Sequence, residues 1–127
     1  MIATTFRTDL FAGKVALVSG GTSGMGAAIG NALAACGATV TVTGATPAEA
    51  DAARAQPGFR CREAVVLDVR DNAAIAAFVA ALPRLDILVN CAGTIRRGAE
   101  HDPAILAEVL DVNLTGTMRL CAAARPL

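Results

Sequence analysis

The sequence predicts an α/β fold, a doubly wound parallel sheet with helices on both faces. Two observations carry that prediction. Four short apolar runs alternate with four helical patterns in the order β-α-β-α-β-α-β-α, and five glycines crowd residues 20–30, directly after the first run. Strands separated by helix-length segments form parallel sheets with right-handed crossovers, and the turn after the first strand is where such sheets take ligands.

The first strand spans Val15 to Ser19, a continuous apolar run of the kind buried on both sheet faces. A helix of small residues follows from Gly24 to Cys36, with Ile29 and Leu33 at helical spacing and Gly37 at the left-handed C-cap position. The second strand covers Ala38 to Thr43. "TPAE" (Thr46–Glu49) then supplies an N-cap, a proline at N1 and a glutamate at N3 for a short helix ending near Gln56, before Pro57 and Gly58. The third strand is Arg62 to Leu67. The helix opening at Asp71 places Ile75, Phe78, Val79 and Leu82 at i, i+3, i+4 and i+7 ahead of Pro83. The fourth strand is Leu85 to Asn90. The last helix starts with Asp102 as N-cap and Pro103 at N1 and runs to Ala124.

Composition narrows the function classes. Eleven basic side chains balance eleven acidic ones, so no net field favours nucleic acid or an anionic membrane surface. Val15 to Ala48 contains no charged residue, yet its seven glycines and its hydroxyl side chains fit a buried strand and helix better than a membrane span. The N-terminus lacks the apolar core of a secretory signal, so a cytoplasmic location is expected. Cys36, Cys61, Cys91 and Cys121 are far apart, contain no CxxC pair and predict reduced thiols with no metal site. The length fits one domain, residues 1–127, and is short for a complete two-layered enzyme.

Gly20, Gly24 and Gly26 allow a tight turn and close approach of backbone to a pyrophosphate, whose charge the free N–H groups and dipole of the following helix favour. Gly30 is expected to serve helix-to-sheet packing. The spacing Gly-x3-Gly-x-Gly differs from the GxGxxG of many dinucleotide folds, and a purely structural glycine turn is the alternative.

"SGGTSGMG" resembles the TGxxxGIG cofactor loop of the short-chain dehydrogenase/reductase family, with Ser19 for threonine and Met25 for isoleucine. Three further motifs match in register. "LDV" (Leu67–Val69) resembles the family's Asp-Val, where Asp68 is implied to accept a hydrogen bond from the adenine amino group and Val69 to touch the ring. "NCAG" (Asn90–Gly93) resembles NNAG, with Cys91 for one asparagine, and "VNLTG" (Val112–Gly116) resembles the segment carrying the asparagine of the catalytic tetrad, here Asn113.

The resemblance implies a Rossmann-like fold, a nicotinamide dinucleotide partner and hydride transfer to or from a secondary alcohol or ketone. The implied cofactor residues are Gly20, Thr22, Ser23, Gly24, Met25, Gly26, Asp68, Val69, Asn90, Ala92 and Gly93. Asn113 is the implied catalytic residue, acting through a helix kink and a water-binding carbonyl. Relatives commonly form homo-oligomers.

Each residue also has a plain structural reading. Asp68 could cap the following turn, Asn90 could join strand ends, and Cys91 reads as a small buried hydrophobe. Asn113 shares a helix face with Leu106, Leu110, Leu114 and Cys121, so a satisfied core asparagine is its alternative.

Gly44 and Ala45 stand where an acidic residue would select NAD, and no basic residue is present there for a 2′-phosphate. Ser23 replaces the arginine of many NADP-using relatives, so NAD is the expected cofactor. "AGTIRR" resembles the corresponding loop of sugar-acid dehydrogenases acting on deoxygluconate-like compounds, and Arg96 or Arg97 could clamp a carboxylate with two parallel hydrogen bonds.

The family's remaining catalytic groups, a serine, a tyrosine and a lysine four residues later, cannot be assembled here. The chain has no tyrosine, its one lysine is Lys14, and its serines are Ser19 and Ser23. The expectation is an N-terminal half, truncated after the fourth strand and its helix, inactive alone, with strand four as an apolar sheet edge. A non-catalytic dinucleotide-binding module and an inactive fragment are the competing readings.

Overall fold

Val15–Ser19 forms β1, the strand on which the others are assembled. Ala16 and Val18 face one side and Leu17 the other, all fully buried, so an apolar residue is required at successive positions. In the computed structural model, which describes residues 5–127, β1 pairs in parallel with β2 (Thr39–Gly44) on one side and β4 (Ile87–Asn90) on the other. β3 (Glu63–Val66) pairs with β2, giving the order β3-β2-β1-β4. The winding therefore reverses between β1 and β4. The reading of the N-terminal segment, residues 1–14, as free of an export signal falls in part, at residues 1–4, outside the described residues.

Helices cover both faces. α1 (Gly24–Ala35) and α2 (Pro47–Arg54) lie over a core of Ala16, Val18, Val40, Val42, Ala50, Ala53, Cys61 and Ala64. α3 (Asn72–Ala80) and α5 (Thr117–Ala124) close the opposite face over Leu17, Leu67, Val69, Ile75, Val79 and Leu120. The fold is the expected doubly wound, Rossmann-like α/β arrangement. The charge-free stretch from Val15 to Ala48 is β1, α1 and β2, and among the described residues no helix is long and apolar enough to cross a membrane.

Local chemistry sets the boundaries. Thr46, Asp71 and Asp102 each cap a helix by accepting a backbone N–H, and Gly37 follows α1 at φ +95°, where glycine is favoured. β3 and β4 are two residues shorter than their apolar runs at the leading or both ends. As anticipated, β4 is a sheet edge, and its four residues are half-buried.

The last helix departs from expectation twice. It is divided into α4 (Pro103–Leu110), a π-helical segment (Asp111–Gly116) and α5, after a short 3₁₀ turn at Ala99–His101 that the sequence did not announce. Its buried stripe is Val109, Gly116 and Leu120, with Val112 and Ala123 partly buried. Leu106, Leu110, Leu114 and Cys121 are exposed, which corrects the assignment of that face to the core. A Cβ on Gly116 would lie 2.5 Å from Val69 Cγ2, so this glycine fixes which side of the helix packs on the turn after β3.

Two predictions follow from the packing. Leu120→Ala, at a side chain with no exposure, is expected to cost about 2–5 kcal/mol in urea unfolding. Leu114→Ala, at 64% exposure, should change stability by no more than about 0.5 kcal/mol. Asp86 accepts hydrogen bonds from Arg84 at 2.6 Å and from the Val15 N–H that opens β1 at 2.8 Å. The Arg84 bond first, and the Val15 bond next, hold its carboxyl below the usual carboxylate range. Its stabilisation is thus present above the ordinary carboxyl pKa and lost as pH falls through the lowered folded value. Asp86→Asn should flatten the acid limb of a urea-midpoint against pH profile.

Candidate active site

The glycine loop between β1 and α1 lies at the reversal of the winding. Gly20 has φ +66° and sits so near the β4 exit loop that a Cβ there would be 2.5 Å from Ala92 N. Gly26 is closed in the same way by the Gly20 carbonyl, whereas Gly24, at φ +55°, faces open space. Gly30 plays a different part, since its Cβ would press on Val42 Cγ1 at 2.9 Å and Cys61 Sγ at 3.1 Å. The expected division between turn glycines and a packing glycine is thus present in the geometry.

α1 begins without a side-chain cap. Ser23 is extended at the N-cap position and its hydroxyl accepts no hydrogen bond from the first turn, in contrast to Thr46, Asp71 and Asp102. The first intrahelical bond is Ala27 N–H to Ser23 O, at 3.1 Å. The N–H groups of Gly24, Met25 and Gly26 have no intrahelical acceptor.

These groups open on a cleft of about 780 Å³ at the carboxyl ends of the strands, within the range of small-molecule and cofactor sites. Gly20, Thr22, Ser23, Gly24, Met25, Gly26, Asp68, Val69, Asn90, Ala92, Gly93, Arg96 and Asn113 all line it. Arg97 is exposed and is not among the lining residues. Cys91, read as a small buried hydrophobe, is half-buried and lines the cleft as well.

Asp68 does cap its own turn, accepting the Arg70 N–H at 2.9 Å. Its carboxylate also accepts the Arg70 guanidinium on both oxygens, from Nε at 3.0 and 3.1 Å and from Nη2 at 2.6 Å. Arg70 holds the Asp68 carboxyl below its usual range, chiefly through these side-chain hydrogen bonds.

Asn113 is exposed rather than a core residue. Its Oδ1 accepts the Thr94 N–H at 2.7 Å and its Nδ2 donates to the Thr94 carbonyl at 2.9 Å, so one side chain pins the β4 exit loop to the π segment. Arg119 secures that segment from the other side, donating to Asp111 Oδ1 at 2.7 Å and to the Val69 carbonyl at 3.2 Å. π segments frequently mark functional sites because they reorient a helix without ending it.

A polar row lies beneath the cleft. Ser19, Thr43 and Asn90 are register partners at the ends of β1, β2 and β4. Ser19 Oγ, Thr43 Oγ1 and Asn90 Oδ1 are buried without a hydrogen-bond partner among the described residues, while Asn90 Nδ2 donates to Cys121 Sγ at 3.5 Å.

Sequence reasoning overlooked Glu49, Arg70, Glu108 and Thr94, which also line the cleft. In the sequence, Glu49 marks only a helix cap. The charge of Arg70, two residues beyond Asp68, was the available signal for that pair, whereas nothing local marked Glu108 or Thr94.

Known proteins resemble this chain in sequence and fold. The family profile described as short chain dehydrogenase covers residues 14–127. The chain is 41% identical over 128 residues to a D-threitol dehydrogenase of Mycolicibacterium smegmatis, spanning 93% of this chain and 47% of that protein. It is 39% identical over 117 residues to a 2-dehydro-3-deoxy-D-gluconate 5-dehydrogenase of Pseudoalteromonas atlantica, spanning 80% and 44%. A solved short chain dehydrogenase/reductase family protein superposes with TM-score 0.80 at 36% identity, over 92% of this chain and 50% of that one. The Pseudomonas aeruginosa RhlG/NADP active-site complex gives 0.77 at 29% identity, over 96% and 49%. The chain spans about half the length of the curated relatives it matches. With the glycine loop, the strand order and a family match over residues 14–127 in agreement, the chain belongs to the short-chain dehydrogenase family.

Proposed function

We propose that this chain is the cofactor-holding part of an oxidoreductase that transfers hydride between NAD and a secondary alcohol or ketone. The observation that carries this reading is the uncapped first turn of α1, opening through an unobstructed Gly24 into the cleft at the reversal of the sheet. Backbone N–H groups with no acceptor and a positive helix end suit a pyrophosphate. When bound, the nicotinamide would supply or accept the hydride.

The chain's residues would hold and orient that group. Gly20, Thr22, Ser23, Gly24, Met25 and Gly26 would cradle the phosphates, Asp68 and Val69 would meet the adenine, and Asn90, Ala92 and Gly93 would flank the nicotinamide half. Asn113, by fixing Thr94, would keep the exit loop in place beside the reacting carbon. Arg96 is the better candidate for a substrate carboxylate, since it lines the cleft and Arg97 does not. Relatives named for threitol and for a deoxygluconate support a polyol or sugar-acid substrate. A homo-oligomeric state and a cytoplasmic location belong to the same proposal.

Proton exchange with the substrate oxygen needs a serine, a tyrosine and a lysine, and these 127 residues contain no tyrosine and only Lys14. On this reading the 127-residue chain binds cofactor but does not turn over substrate. A non-catalytic dinucleotide-binding module is the second reading. A coding sequence that continues into a serine and a Tyr-x-x-x-Lys segment selects the enzyme.

NADH fluorescence measures binding directly, because the chain has no tryptophan. Saturable binding is expected, and Gly24→Val should weaken it at least about tenfold by filling the space over the helix start and straining a positive φ. Retention of wild-type affinity by a folded Gly24→Val variant would remove the loop from the site. Arg70→Ala should tighten NADH binding by up to about fivefold, the scale of one exposed ion pair, because Asp68 would no longer be occupied. Weaker binding would instead make Arg70 a cofactor contact.

A further inference from the structure

We infer that Glu49, a residue of α2, is the group that selects NAD over a 2′-phosphorylated dinucleotide. The inference rests on the nicotinamide reading above. In dinucleotide folds an acidic side chain at the end of the second strand accepts a hydrogen bond from the ribose 2′-hydroxyl and repels a 2′-phosphate. β2 ends here in Gly44 followed by Ala45, neither of which carries a functional group.

The fold returns a carboxylate to that place from the next element. Glu49 occupies N3 of α2, where a capping glutamate reaches back toward the backbone before the helix. Its Oε2 accepts the Ala45 N–H at 2.6 Å, one residue earlier than the N-cap Thr46. The same oxygen lies 2.8 Å from where a Cβ on Gly44 would stand, so the carboxylate occupies the space that the missing side chain leaves over the end of β2. Glu49, Gly44 and Ala45 line the cleft beside Thr22 and Ser23 of the glycine loop.

The other oxygen, Oε1, has no hydrogen-bond partner among the described residues and is available to a hydroxyl donor. Among the described residues no cationic side chain forms an ion pair with Glu49. Of the two arginines lining the cleft, Arg70 is bound to Asp68 and Arg96 belongs to the loop beyond β4 on the far side of β1. A second phosphate on the ribose would meet an unneutralised carboxylate.

The test is the ratio of NADPH to NADH dissociation constants, measured by fluorescence titration on the 127-residue chain. Wild type is expected to bind NADH at least about tenfold more tightly. Glu49→Gln retains one oxygen for the Ala45 N–H, turns an amide NH2 that can donate to the ribose hydroxyl oxygen toward the ligand, and loses the charge; it should bring the ratio down by about tenfold, chiefly through tighter NADPH binding. Thr46→Ala weakens the same helix start while keeping the carboxylate and should leave the ratio unchanged. A ratio unmoved by Glu49→Gln, moved equally by Thr46→Ala, or favouring NADPH in wild type overturns the inference and leaves the cofactor site standing. No saturable binding of either dinucleotide by folded wild type overturns both.

Discussion

The uncapped first turn of α1 is the constraint around which the rest of this structure is arranged. A helix start leaves N–H groups without acceptors, and Thr46, Asp71 and Asp102 each satisfy one of them at the starts of α2, α3 and α4. At α1 the residue in that position is Ser23, whose hydroxyl makes no such bond, and no acidic residue stands in the first turn. The preceding loop is nearly all backbone. Everything that stabilises this end must therefore come from outside the helix, which is the local condition for taking up an anion.

Holding such a loop open needs support from three neighbours. Gly20 and Gly26 let the turn fold tightly upon itself and against Ala92, so the β4 exit loop backs the glycine loop directly. That exit loop lacks regular structure from Cys91 to Gly98 and is pinned by Asn113 through both hydrogen bonds to Thr94. Asn113 is placed by the π segment, which Arg119 ties to Asp111 and to the carbonyl of Val69. The chain of contacts runs from the π segment through the exit loop to the glycine loop.

Much of the fold was legible because its signals are local. The apolar runs mark all four strands, Gly37 ends α1 where expected, and the Asp-Pro and Thr-Pro pairs open helices as read. The last helix was not, for a physical reason: apolar residues surround it, so periodicity alone offered a face of leucines as readily as one of Ile105, Val109, Val112, Gly116 and Leu120. Burial follows the smaller residues because Gly116 is what permits contact with Val69. The candidate site was legible through motif register, whereas Glu49 was not. Its position in "TPAE" indicated a cap, and only the missing side chains of Gly44 and Ala45 show that the cap fills a space beside the cleft.

The charges lining the cleft give the backbone its importance. Glu49, Asp68 and Glu108 outnumber Arg70 and Arg96, and Arg70 is already committed to Asp68. Side chains alone would make this a poor place for a doubly charged pyrophosphate. On the proposed reading, the attraction must come from the α1 dipole and its free N–H groups, which act within about one turn of the helix start. Acidic side chains at the flanks can then accept hydroxyl and amino donors without cancelling that short-range field. The division confines phosphate to the glycine loop and leaves the outlying positions to uncharged parts of the ligand, so an extra phosphate on the ribose would find no compensating charge.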